Sequence, residues 1–101
     1  MAPLMEDPDV ARWHSNLARG SLVTADVYVR RLGAFLEQTG QTQATLLTIA
    51  EKALRDVFLD FITEEERKGR AGAYIASSIK AVKSWLAHGG RTLTPPPEDQ
   101  G

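Results

Sequence analysis

An all-α fold, a compact four-helix bundle, is what this sequence predicts. Four stretches carry apolar residues at the three- and four-residue spacing of a helix face. Each stretch ends in a glycine or a polar break, and no run alternates apolar and polar residues as a half-buried strand does. At 101 residues the chain has room for one domain with one core. Its 43% hydrophobic and 25% charged residues are the composition of a folded domain rather than a disordered one.

The first helix starts at Asp7-Pro8-Asp9. Asp7 can cap, Pro8 suits the first helical position, and the acids complement the positive end of the dipole. Val10, Trp13 and Leu17 then share a face until Gly20, a good residue to end a helix. Residues 1–7 before it are expected to be a flexible N-terminus. A second helix over 22–39 starts at Ser21 or Thr24, buries Tyr28, Leu32, Phe35 and Leu36, and closes at Thr39-Gly40. Gly33 inside it suggests close helix packing, at a cost of about 1 kcal/mol relative to alanine.

The polar stretch Gln41–Thr45 is expected to be a loop. Thr48-Ile49-Ala50-Glu51 has the spacing of a capping box, in which Thr and Glu side chains each satisfy a free backbone N–H. From there Ala50, Leu54, Val57, Phe58, Phe61 and Ile62 form an apolar stripe to about residue 66. On the opposite face Glu51 stands one turn before Arg55 and Lys52 one turn before Asp56, the spacing of solvated ion pairs. Lys68-Gly69-Arg70-Ala71-Gly72 breaks this helix. A fourth runs over 73–88, burying Ile75, Ile79, Val82, Trp85 and Leu86, and stops at Gly89-Gly90. The tail from Arg91 to Gly101 cannot continue it, and its proline run predicts an extended, disordered linker.

Composition excludes several kinds of chemistry. Without cysteine there is neither a disulfide nor a thiolate metal site, which makes a reducing cytoplasm the default compartment. No apolar run approaches the roughly 18–20 residues that span a bilayer, and Met1–Asp7 lacks the features of a secretory signal. His14 and His88 fall on different helices with no partner at ligand spacing, so no metal or other cofactor is expected. His88 is placed to meet the carbonyls at its helix end. Glu64-Glu65-Glu66 is expected to be solvated. The net charge is −1, yet its distribution is uneven. Residues 41–66 hold six acids and two bases, whereas Arg67 to Pro97 holds six bases and no acid. One-sided charge of this kind predicts an electropositive face.

Taken together, these positions resemble the N-terminal core-binding domain of the tyrosine recombinases, the phage integrase family, whose fold is called SAM-like. The family's second helix is typified by Thr, then Tyr four residues on, Leu eight on and Phe eleven on, and here these are Thr24, Tyr28, Leu32 and Phe35. Phe58-Leu59-Asp60-Phe61-Ile62 with Gly69 is similar to the family's Phe-rich middle helix and its turn. Ile79-Lys80-Ala81-Val82-Lys83-Ser84-Trp85 matches the usual run of the last helix. The similarity spans roughly residues 8–90. It implies a duplex DNA-binding module, one jaw of a clamp whose other protomers sit on the same site. The chemistry then belongs to a following catalytic domain, to which residues 91–101 would lead. The Arg, His-x-x-Arg and nucleophilic Tyr of that domain are not matched in these residues, and Tyr28 and Tyr74 occupy core and helix-start positions. The module itself is therefore expected to be non-enzymatic and, in isolation, monomeric.

Burying Ile75, Ile79, Val82 and Leu86 turns Ala73, Ser77, Lys80 and Ser84 outward, with Lys83 flanking. Small residues between lysines let a helix approach a groove, where lysine and serine can meet phosphate or base edges. Thr24 at the start of the second helix is placed either to cap it or to meet a phosphate beside its free N–H groups. Of Arg30 and Arg31, one is expected to face DNA. Lys68, Arg70 and Arg91 lie in loops that flank the basic helix. For each of these residues ordinary surface charge is the plain alternative. For the whole domain the alternatives are a helical protein–protein module, which the near-neutral charge favours, and a small ligand-binding bundle.

Overall fold

All four expected helices form in the computed structural model of the chain, which describes residues 4–91. They are α1, Pro8–Ala18; α2, Leu22–Thr39; α3, Glu51–Arg67; and α4, Gly72–His88, joined by short connections. No strand occurs among the described residues. None of the described helices is long and apolar enough to cross a membrane. The expected proline linker lies outside the described residues. Two 3-10 turns, Leu4–Glu6 and Thr45–Leu47, complete the chain path. The first of them lies within the stretch expected to be flexible. Leu4 packs against the core, and its Cδ1 lies 3.5 Å from where a Cβ on Gly33 would stand. A methyl group therefore fits at position 33, and close helix packing is not what glycine provides there.

The helix ends follow local chemistry. Asp7 caps α1: its Oδ1 accepts the Asp9 N–H at 2.8 Å, while Oδ2 accepts from Gln43 Nε2 at 3.0 Å. Ser21, not Thr24, caps α2, its Oγ accepting the Thr24 N–H at 3.2 Å. Gly40 ends α2 in the left-handed region at φ 73°, where a side chain would be strained. Gly69 and Gly90 end α3 and α4 in the same way, at φ 82° and 81°. Each is followed by an arginine whose N–H reaches back, Arg70 to the Glu65 carbonyl and Arg91 to the Leu86 carbonyl.

The expected capping box at Thr48 does not form. The chain is extended at Ala50 (φ −58°, ψ 150°), α3 begins at Glu51, and no side chain caps it. The Thr48 hydroxyl instead bonds back to Thr45 O at 3.3 Å, and the Glu51 carboxylate accepts from Arg55 at 3.2 Å. A reciprocal cap does occur, six residues earlier. The Thr42 N–H donates to Thr45 Oγ1 at 2.9 Å, and the Thr45 N–H donates to Thr42 Oγ1 at 3.1 Å. The surface pairs Glu51–Arg55 and Lys52–Asp56 form as their spacing predicts.

Helix α2 is the centre of the bundle, touching α1, α3 and α4. Its Phe35 meets Phe58 and Phe61 of α3 with ring centroids 5.5 and 4.7 Å apart. On the other side Trp13 of α1 meets Trp85 of α4 edge-on at 5.4 Å. Val10, Leu32, Leu46, Leu54, Phe58 and Val82 are fully buried between them. Each large apolar side chain removed from water this way contributes about 1.5–3 kcal/mol, so the aromatic stripes legible in the sequence are what stabilises the fold. The predicted core residue Tyr28 is only half-buried, its ring 6.5 Å from that of Trp13.

Candidate nucleic-acid interface

Where α2, the α3–α4 turn and the start of α4 meet, two arginines from separate elements converge on Tyr74, with Lys68 in the same turn as the second. The Arg31 guanidinium carbon lies 4.6 Å from the centre of the Tyr74 ring, and that of Arg70 lies 5.0 Å from it. Lys68 Nζ donates to Gln38 Oε1 at 2.6 Å and stands 3.3 Å from Glu65 Oε2. Arg70 Nε is 3.9 Å from Glu65 Oε1, an ion pair without a hydrogen bond. Local structure dictates this grouping. Gly69 lets the chain turn back on itself, which aims Arg70 toward the first turn of α4. Arg31 stands three residues after Tyr28 on the face of α2 that packs toward α4.

Glu65 is the residue that sequence reasoning missed. It was expected to be solvated with its neighbours, yet it is 3% exposed. The signal was present, because Leu54, Phe58, Phe61 and Glu65 continue one buried stripe at four-, three- and four-residue steps. A charge inside an apolar stripe needs partners, and Lys68 and Arg70 stand beside it as ion pairs, although its Oε2 accepts no hydrogen bond. Glu64 does remain at the surface, hydrogen-bonded by Arg67 through both carboxylate oxygens. That contact holds the Glu64 carboxyl below its ordinary range and raises Arg67. Three of the six bases after Glu66 thus face the acids at the end of α3. The basic last third is less one-sided in space than along the chain.

The other expected contact residues divide. Lys80 is exposed on α4 and Ser77 half-exposed beside it, as predicted. In three-residue steps Tyr74, Ser77 and Lys80 lead from the cation cluster outward over that helix. Thr24 is exposed in the first turn of α2, and helical spacing places it on the same face as Tyr28 and Arg31. Arg30 is exposed and Lys83 half-buried. Ser84 does not face outward: it is half-buried, and its Oγ accepts the Trp13 Nε1–H at 3.0 Å. Burial of the Trp13 indole demanded an acceptor, and Ser84 is it.

Arg91 is no loop clamp either. Its guanidinium donates to the carbonyls of Leu46 and Ile49 at 3.1 and 2.5 Å, tying the end of α4 to the segment before α3. His88 stacks on Trp85, centroids 5.6 Å apart, rather than meeting helix-end carbonyls. His14 Nε2 lies 2.8 Å from Asp26 Oδ1, linking α1 to α2. Among the described residues no group of three His, Asp or Glu side chains is placed to hold a metal ion.

No family model matches the chain, and neither a curated protein nor a solved structure shows significant similarity to it.

Proposed function

We propose that this domain binds duplex DNA along the flank shared by α2 and α4. It would serve as one jaw of a clamp in a site-specific recombinase of the tyrosine recombinase type, with no catalytic residue of its own. The observation that supports the reading is convergence: Arg31 of α2 and Arg70 of the α3–α4 turn, distant in the chain, meet at the Tyr74 ring, and Lys68 stands in the same turn as Arg70. Ser77 and Lys80 extend that patch along α4, and Thr24 extends it along α2. The cations supply phosphate contact at any sequence, and Ser77 and Lys80 give limited access to base edges. Exposed Ala73 and Ala76 between them keep the helix surface low, so a groove can approach.

Replacing Lys80 and Lys83 together by glutamate is expected to weaken duplex binding at every sequence while helicity stays unchanged by circular dichroism. For the parent domain, about four phosphate contacts correspond to a log–log salt slope of roughly −3 to −4. Unchanged affinity of the double variant, titrated at fixed salt, would remove α4 from the interface.

One observation favours a second reading, a helical protein–protein module. Leu22 and Val23, side by side at the start of α2, are 60% and 73% exposed. That reading predicts salt-insensitive binding to a protein and none to duplex DNA.

A further inference from the structure

Arg31 stands out among the cations of the domain because its Nε–H is buried and has no hydrogen-bond partner. The contact the guanidinium does make is with the face of the Tyr74 ring, which attracts the charge but accepts none of its five N–H donors in plane. Buried donors are nearly always satisfied, and among the described residues this one is not; Glu65 Oε2 is likewise buried without a hydrogen bond. Arg70 stands against the same ring with half its side chain exposed. Its pairing with Glu65, at 3.9 Å, is too long to occupy an N–H. Lys68 differs, since Gln38 and Glu65 already hold it. Lys68 and Arg70 share the one Glu65 carboxylate, and Arg31 adds a further cation at the ring, so the junction carries a surplus of positive charge in a partly dry setting.

We propose that Arg31 and Arg70, oriented by Tyr74, form a seat for one phosphate group, and that Tyr74 is its positioning residue. Guanidinium suits this task because its planar fork donates two parallel hydrogen bonds to a tetrahedral oxyanion. The ring holds two otherwise mobile side chains in place before the ligand arrives, which lowers the ordering cost of binding. The adjoining start of α4, Ala71-Gly72-Ala73, has no side-chain cap, and open space surrounds Gly72. The phosphate chemistry is the same for a DNA phosphodiester and for a free phosphate group. Only the first source rests on the function proposed above.

The arginine Nε–H resonances of the full chain, uniformly labelled with nitrogen-15, test the seat directly. Titration with inorganic phosphate, and separately with a short duplex, is made at constant ionic strength. Arg31 and Arg70 are expected to shift and saturate, with exposed Arg12 and Arg30 as references for non-specific effects. Tyr74→Leu is expected to weaken phosphate binding about fivefold, whereas Tyr74→Phe, which keeps the ring, stays within about twofold of the parent. Should the leucine variant not fold, Arg31→Gln is expected to remove the response of Arg70.

Phosphate that moves Arg31 and Arg70 in a domain that binds no duplex supports the seat and removes the DNA reading. A duplex that binds while both resonances stay still overturns the seat and leaves the DNA reading standing. Shifts no larger than those of Arg12 and Arg30 with either ligand also overturn it.

Discussion

The two ends of α4 use the same kinds of residue to opposite effect. At the C-terminal end three strong donors find acceptors inside the fold: Trp13 on Ser84, Trp85 on the Gln43 carbonyl at 3.0 Å, and Arg91 on the Leu46 and Ile49 carbonyls. At the N-terminal end Arg31 keeps a buried N–H without an acceptor, Arg70 is held only by a ring face and a long ion pair, and the helix has no side-chain cap. Arg91 is therefore a structural cation, whereas Arg31 has donors left for a ligand. The comparison shows why an arginine count says little about binding. What matters is whether the guanidinium's hydrogen bonds close inside the protein.

That contrast can be broken in order of size. Trp85→Ala strikes the closed end, removing a buried indole, its edge contact with Trp13 and its bond to Gln43. It is expected to cost about 3–5 kcal/mol in urea unfolding. Arg91→Ala leaves two half-buried carbonyls without their charged donor and is expected to cost about 1.5–3 kcal/mol, with duplex affinity unchanged at temperatures where the variant is folded. A loss of affinity at full stability would return Arg91 to the interface. Arg31→Gln probes the open end, and its stability is expected to stay within about 0.5 kcal/mol of the parent. A large destabilisation would show that Arg31, like Arg91, supports the fold.

Asp7 adds a pH test on the closed side. Hydrogen bonds from Gln43 and from the Asp9 N–H hold its carboxyl below the ordinary value of 3.8. A lowered folded-state pKa means the contribution is complete above that value and lost as pH falls through the lower, folded one. Asp7→Ala should reduce stability at neutral pH by about 1 kcal/mol. The gap between parent and variant melting temperatures should narrow as the pH drops below the ordinary value. A gap that does not change with pH would mean that the cap acts without its charge.

Much of the fold was legible because it depends on local periodicity. The bounds of α2 agree with the prediction, and α4 begins one residue earlier than predicted. The buried aromatic residues follow directly from their three- and four-residue spacing. What was misread depends on partners distant in the chain. The Thr48 capping box has the right spacing, but Arg91, more than forty residues away, takes the Ile49 carbonyl, and the chain is extended at Ala50. Ser84 looks solvent-facing on a helical wheel, yet the wheel of α4 does not contain Trp13. Glu65 was legible as a continuation of the Leu54–Phe61 stripe. As one of three consecutive acids on an amphipathic helix it reads as solvated, and its burial is costly without Lys68 and Arg70 beside it.

The sequence by itself determined the all-α class, the number of helices, their caps at Asp7 and the glycine ends, and most of the core. Each of these follows from contacts within about one helical turn. Only the tertiary structure decided which charges are used up inside the fold and which remain open. An ion pair or an unanswered donor depends on what other helices bring within about 3–4 Å. It placed Arg31 and Arg70 against one ring and left them with donors to offer, a juxtaposition that no spacing along the chain encodes.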